Sequence, residues 1–309
     1  MKHNIKVTAL IITLFLIAQL IGLFVVSKYS PEVKQGELVN GTATNFTSYN
    51  LPYGYDPPEN NPGVNLISIV IAIGIAVFIM FLLMMVKAES FIRAWFFIVV
   101  IIALGVSFNS LSPKASLMPW IALAIALPLA FFKIYKRNII VHNITELFIY
   151  PGIAAIIVPL LNLRGIIILL VIISLYDMYA VWRSGFMQKM AKYQMEKLRI
   201  FSGFFVPYLS KEQKKLMAKM QKSKKGEKKM KVNVAILGGG DVVFPIITAG
   251  IVLQAWGILP ALAVTIGATI ALSLLLYFSE KGKFYPAMPF ISAGCFLGLA
   301  VAYLLQRAA

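Results

Sequence analysis

Twelve acidic residues occur in the 309-residue chain, and ten of them have an ordinary place in a loop or at the end of an apolar run. The other two, Asp177 and Asp241, fall well inside long apolar segments. An ionisable side chain at bilayer depth costs on the order of 3 kcal/mol on insertion scales, so two of them ask for a reason. Brought within hydrogen-bonding reach in a weakly polar site, two carboxylates cannot both ionise comfortably and tend to share one proton. Such a pair can do acid–base chemistry on an amide. The ionised member takes a proton from a water, which attacks the amide carbon, while the protonated member hydrogen-bonds the carbonyl oxygen. The titration belongs to the pair, so neither aspartate alone is assigned the proton.

The surroundings of Asp241 are equally unusual for a membrane-spanning run. The stretch LGGGDVVFP, residues 237 to 245, places three glycines and a proline beside it. Each interior glycine costs roughly 1 kcal/mol relative to alanine in soluble helices. Gly238 and Gly240 are expected to remove side chains where this backbone approaches a neighbouring span and a substrate segment, and Pro245 to loosen the same helix one turn later.

The elements that must position the two acids follow from composition. Hydrophobic residues make up 60% of the chain and charged residues only 13%, a balance suited to lipid as the solvent. The single cysteine, Cys295, excludes a disulfide within the chain and reads as a packing residue. Nine runs are long and apolar enough to span a bilayer, at residues 5–27, 64–86, 94–112, 115–132, 144–163, 165–182, 232–252, 257–279 and 284–306. The first could pass for a signal peptide, but its apolar core is too long and no clean cleavage site follows, so it is kept as a span. The organisation predicted is spans one to six over residues 1–182 with an outer loop at 28–63, a basic loop at 183–231, and spans seven to nine over 232–309.

With the N-terminus inside, 24 of the 29 lysines and arginines fall on the cytoplasmic face, as positively charged loops should. The C-terminus is then outside. The net charge of +17 comes largely from the basic loop, with fifteen positive residues between Arg183 and Lys231. Attraction to anionic lipid headgroups accounts for that loop, and nucleic-acid binding is not expected. Residues 186–209 read as an interfacial amphipathic helix followed by a hydrophobic turn, and 211–231 as a lysine-rich tract. The outer loop holds two sequons, at Asn40 and Asn45, as acceptors for glycans; a third, at Asn143, falls inside and should stay bare.

Asp177 lies about five residues above the inner end of span six, and Asp241 about nine above the start of span seven. At 1.5 Å per residue those depths are roughly 8 and 14 Å, close enough for the two acids to lie level within the error of the span ends.

Gly238-Gly239-Gly240-Asp241 fits a GxGD motif, Tyr176-Asp177 a YD motif, and Pro286-Ala287-Met288, followed by Pro289, stands where a PAL motif would at the start of the last span. With these motifs in order on spans six, seven and nine, the chain resembles the presenilin and signal peptide peptidase family of intramembrane aspartyl proteases. Met288 departs from the usual leucine by a volume-conserving change. The resemblance implies an all-α nine-helix membrane fold, in a presenilin-like orientation, with Asp177 and Asp241 as the catalytic pair and no cofactor or metal. It also implies transmembrane-helix substrates, which must unwind before a carboxylate pair can reach an amide. The PAL region would help hold the unwound segment as an extended strand. Tyr176 would either hydrogen-bond the pair or line a helix interface.

Other chemistries are poorly served. The only histidines, His3 and His142, are far apart and near the inner surface, which provides neither a zinc site nor a base at depth. A proton-coupled transporter, with the aspartates as a relay, is the alternative, but no second interrupted helix marks an inverted half. Gly294 and Gly298 read as packing residues, and Gln19, Asn162 and Gln254 as polar residues towards span ends. The expected setting is a multi-pass protein of the cell membrane in contact with lipid, and self-association is compatible with it.

Overall fold

In the computed structural model the described residues are 5–30, 32–39, 42–48, 51–55, 62–136, 138–184, 202–208, 233–279 and 285–308. Among them, nine helices are long and apolar enough to cross a membrane. In chain order they are α1 (Ile5–Lys28), α2 (Pro62–Met85), α3 (Glu89–Asn109), α4 (Met118–Phe131), α5 (Ile139–Ile157), α6 (Leu163–Tyr179), α7 (Gly239–Trp256), α8 (Ile258–Phe278) and α9 (Met288–Ala308). Two antiparallel hairpins accompany them: β1 (Glu32–Val39) with β2 (Thr42–Ser48) after α1, and β3 (Gly203–Tyr208) with β4 (Asn233–Gly238) just before α7.

Local chemistry sets the helix ends. Asn138 caps α5, its side chain accepting from Ile140 N at 2.9 Å, and Asn162 caps α6, accepting from Gly165 N at 2.7 Å. Asn162 therefore has a structural role. Gly257, at φ 89°, ends α7 and lets the chain reverse into α8. α4 and α6 each finish in a π-turn, Phe132–Lys136 and Ala180–Ser184.

The core is organised around α7. Val242, Ile246, Ile247, Ala249 and Val252 are fully buried, where α7 packs against α1, α5, α6, α8 and α9. α2 stands at the rim, with no buried residue in its apolar window. α8 and α9 approach closely because they meet on glycines: a Cβ at Gly294 would sit 2.5 Å from the Gly267 carbonyl oxygen, and one at Gly298 would sit 2.6 Å from Val264 Cα. The packing role expected for Gly294 and Gly298 is the one they have.

Three expectations change. The seventh span does not begin at residue 232, since residues 233–238 form strand β4 and the helix starts at Gly239. Asn-Val-Ala-Ile-Leu buries alternate residues, Ala235 and Leu237, a period of two that a strand satisfies and a helix does not. The segment expected as an amphipathic helix and turn at 186–209 contains strand β3 at 203–208, while 186–201 and 211–231 lie outside the described residues. Gln19 is no residue of a span end. It is fully buried in α1, and its Nε2 donates to the Val242 carbonyl at 3.0 Å.

Candidate active site

Asp241 owes its position to the way β4 runs into α7. Gly238 is the N-cap residue, in extended conformation (φ −64°, ψ 145°), which makes Asp241 the third helical residue. A carboxylate there reaches back to the N-cap amide, and the Gly238 backbone does hydrogen-bond Asp241. The partial positive charge of the helix N-terminus favours the same placement. The spacing Gly238-x-x-Asp241 is thus a helix start with its acid at the capping-box position.

The tight glycine of the run is Gly239. A Cβ there would lie 2.6 Å from Ser202 Oγ and 2.9 Å from the Tyr150 ring and hydroxyl. At Gly238 the nearest atom is the chain's own Asp241 Oδ2 at 3.1 Å, and at Gly240 it is Phe244 Cε2 at 3.9 Å. The close helix-to-neighbour approach expected at Gly238 and Gly240 therefore falls on the residue between them, because the middle glycine faces α5. Gly240 is exposed beside the acid.

Asp177 comes from the last turn of α6 and is buried, at 4% exposure. Its Oδ2 accepts a hydrogen bond from the Met288 amide at 3.0 Å, with the Ala287 backbone alongside. One turn earlier in α6, Ser174 Oγ donates to Ser292 Oγ at 2.9 Å, a second tie between α6 and α9. Pro286 and Met288 are buried, while Ala287 and Pro289 are half-buried. Proline at 286 and 289 restricts the backbone on both sides of the donating amide. The Tyr176 ring is 44% exposed and points away from the buried side of α6.

The fold brings the two acids close enough for the charge of Asp177 to act on Asp241. Sequence reasoning missed what surrounds them: Gln19, Tyr150, and a buried group formed by Lys133, His142 and Glu146. A lysine and a glutamate flanking a short link between two apolar runs was the only available signal. Asn40 lies outside the described residues, and Asn45 sits in β2 opposite Gln35. Among the described residues no cluster of histidine, cysteine or acids could hold a metal ion.

Among the described residues, nine helices long and apolar enough to cross a membrane, with Asp177 on α6 and Asp241 on α7, define the class as a multi-pass membrane protein with two acids on adjoining helices. The comparisons narrow it. A family model described as "Signal-peptide peptidase, presenilin aspartyl protease" matches residues 52–308. Two crystal forms of a presenilin family intramembrane aspartate protease share the fold, each with a TM-score of 0.60. One is 18% identical and covers 96% of this chain and 96% of its own; the other is 19% identical and covers 96% and 99%. Among curated proteins no match is significant. The chain belongs to the signal-peptide peptidase and presenilin aspartyl protease family, and is a multi-pass intramembrane aspartyl protease. Nothing supports the transporter alternative.

Proposed function

We propose that the protein is a protease of the GxGD type, in which Asp177 and Asp241 form the catalytic pair and cleave the backbone of single-span membrane proteins. The observation that carries this reading is the juxtaposition of the two acids, each held by backbone amides, one at the last turn of α6 and one at the first turn of α7. With one proton between them, the ionised carboxylate draws a proton from water as its oxygen attacks the scissile carbonyl carbon. The protonated carboxyl donates to the carbonyl oxygen. The tetrahedral intermediate then collapses, the C–N bond breaks, and the nitrogen leaves with a proton returned from the pair. Water and one peptide bond become a carboxylate and an amine.

Tyr176, Gly238 and Gly240 support the site in this reading: Gly238 through its amide on Asp241, Gly240 as exposed backbone that a substrate can approach, and Tyr176 along the flank of α6. The PAL-like residues Pro286, Ala287, Met288 and Pro289 position Asp177 from the opposite side and meet the unwound substrate. Backbone groups freed by unwinding need partners in lipid, and β4 supplies an edge for them. The chain lies with its N-terminus in the cytoplasm and its C-terminus outside, in the cell membrane, with Asn40 and Asn45 on the outer face. Its partners are membrane lipids and transmembrane-helix substrates, and further copies of the chain where it self-associates.

The test is cleavage of a generic single-span substrate by the purified protein in detergent, beside Asp177→Asn and Asp241→Asn. Loss of cleavage in both folded variants is expected. Cleavage surviving either substitution would overturn the two-aspartate mechanism.

A further inference from the structure

The inner end of α5 meets strand β3 with side chains instead of with another strand. Asn143 bonds Phe205 twice: its Nδ2 donates to the Phe205 carbonyl at 2.7 Å, and its Oδ1 accepts from Phe205 N at 2.9 Å. One amide side chain thus makes the pair of bonds that a neighbouring strand residue would make. Two residues earlier on the same edge, His142 Nε2 lies 2.8 Å from the Gly203 carbonyl and Gly203 N donates to Glu146 Oε1 at 3.4 Å. Gly203 and Phe205 are i and i+2, the spacing at which strand backbone groups face one edge. The bonds between β3 and β4 then fall at Phe204, Val206 and Tyr208, opposite Leu237, Ala235 and Asn233.

Behind that edge sits a charge group at the inner ends of α4 and α5. Lys133 and Glu146 are buried, at 5% and 0% exposure, with Lys133 Nζ 2.5 Å from Glu146 Oε1 and 3.3 Å from His142 Nδ1. A carbonyl can only accept, so His142 carries its proton on Nε2 and offers Nδ1 to the lysine. Glu146 Oε1 takes both the Lys133 ammonium and the Gly203 amide, while Glu146 Oε2 is buried with no hydrogen-bond partner among the described residues. One turn further along α5, Tyr150 places its hydroxyl beside Glu146, Ser202 and Asp241, and its ring against Phe204. The stripe runs without a break from Lys133 to the residue before the helix start of Asp241.

A buried ion pair is a poor source of stability, since desolvation offsets its attraction, and its best-attested use is to fix register. Register matters here because Gly203 pairs with Gly238, the N-cap of α7. A slip of one residue would turn every β4 side chain to the other face and move the helix start with it.

We infer that Asn143, His142, Glu146 and Lys133 are positioning residues for peptide-bond cleavage, a clamp that fills the outer edge of β3 and sets the register of β4, and with it the helix start that places Asp241. This rests on the proteolytic reading of Asp177 and Asp241. Loss of the clamp would change where and how fast a substrate is cut, beyond any change in folding.

The experiment uses the full chain in detergent, with a single-span substrate of defined sequence and products weighed by mass spectrometry. In Asn143→Ala, kcat is expected to fall about tenfold or more with an unaltered Tm, and cuts should spread to neighbouring bonds; Asn143→Gln should restore part of the rate. The double variant Lys133→Met/Glu146→Met removes both charges without orphaning either, and should show the same loss and spread. Folded variants that retain kcat within twofold and cut the wild-type bonds would overturn the clamp. Hydrogen exchange on the wild type decides the matter if neither variant folds, and also if the wild type cleaves nothing. Gly203 and Phe205 amides should exchange as slowly as those of Phe204 and Val206, and exchange a hundredfold faster would overturn the clamp independently of proteolysis.

Discussion

The amide of Met288, the first residue of α9, donates to Oδ2 of Asp177 near the end of α6 at 3.0 Å. The contact uses the backbone, and the side chain of residue 288 only fills space behind it. Met288→Leu should therefore leave kcat/KM within about threefold of wild type, as a volume-conserving change does. Met288→Pro removes the donor. It should reduce cleavage by at least tenfold, measured on protein whose helix content is unchanged by circular dichroism.

The three glycines before Asp241 should separate by substitution. Gly239→Ala would drive a methyl group into Ser202 and Tyr150. A loss of about 1–3 kcal/mol is expected from such overpacking, visible as a lower Tm. Gly240→Ala meets only Phe244 Cε2, at an ordinary contact distance of 3.9 Å, and thermal unfolding should not register it. If substrate backbone passes over Gly240, the same variant raises KM, which a steady-state titration reads directly.

Ser174 and Ser292 join α6 to α9 by a single hydrogen bond of 2.9 Å. Interhelical hydrogen bonds inside membranes average about 0.6 kcal/mol in double-mutant cycles. A cycle over Ser174→Ala and Ser292→Ala, followed by unfolding in denaturing detergent, should return a coupling of about that size. Zero coupling would mean that the Met288 amide alone ties the two helices beside Asp177.

Gly294→Val should separate α8 from α9, because the new side chain would collide with the Gly267 carbonyl and the Ala271 methyl. The prediction is a destabilisation of about 1–3 kcal/mol together with a fall in kcat, since α9 carries Met288. Cleavage measured at a temperature where the variant remains folded separates the two effects.

A pair that works with one proton loses activity when it gains a second and when it loses the first. The pH profile of kcat should be bell-shaped. Neither limb should survive in Asp177→Asn or Asp241→Asn, and a profile with one limb would count against a shared proton.

Nine apolar runs determined the spans, apart from the start of the seventh, and two acids stranded inside such runs pointed to the chemistry proposed above, because lipid penalises an ionisable side chain that has no partner. GxGD, YD and the PAL-like segment, in order along the chain, determined the family. The strand before Asp241 was not legible, since Val-Ala-Ile-Leu next to an apolar helix carries no local mark of its state; its partner Gly203–Tyr208 lies about thirty residues earlier. The same limit hid Gln19 against Val242, and Asn143 and Glu146 against β3. A lone polar residue shows what it needs, a partner, without showing where that partner is. Only the packing of α1 and α5 against α7 and β3 supplies it, and only that packing decided that Gly239, between the two expected glycines, is the one that α5 leaves no room to replace.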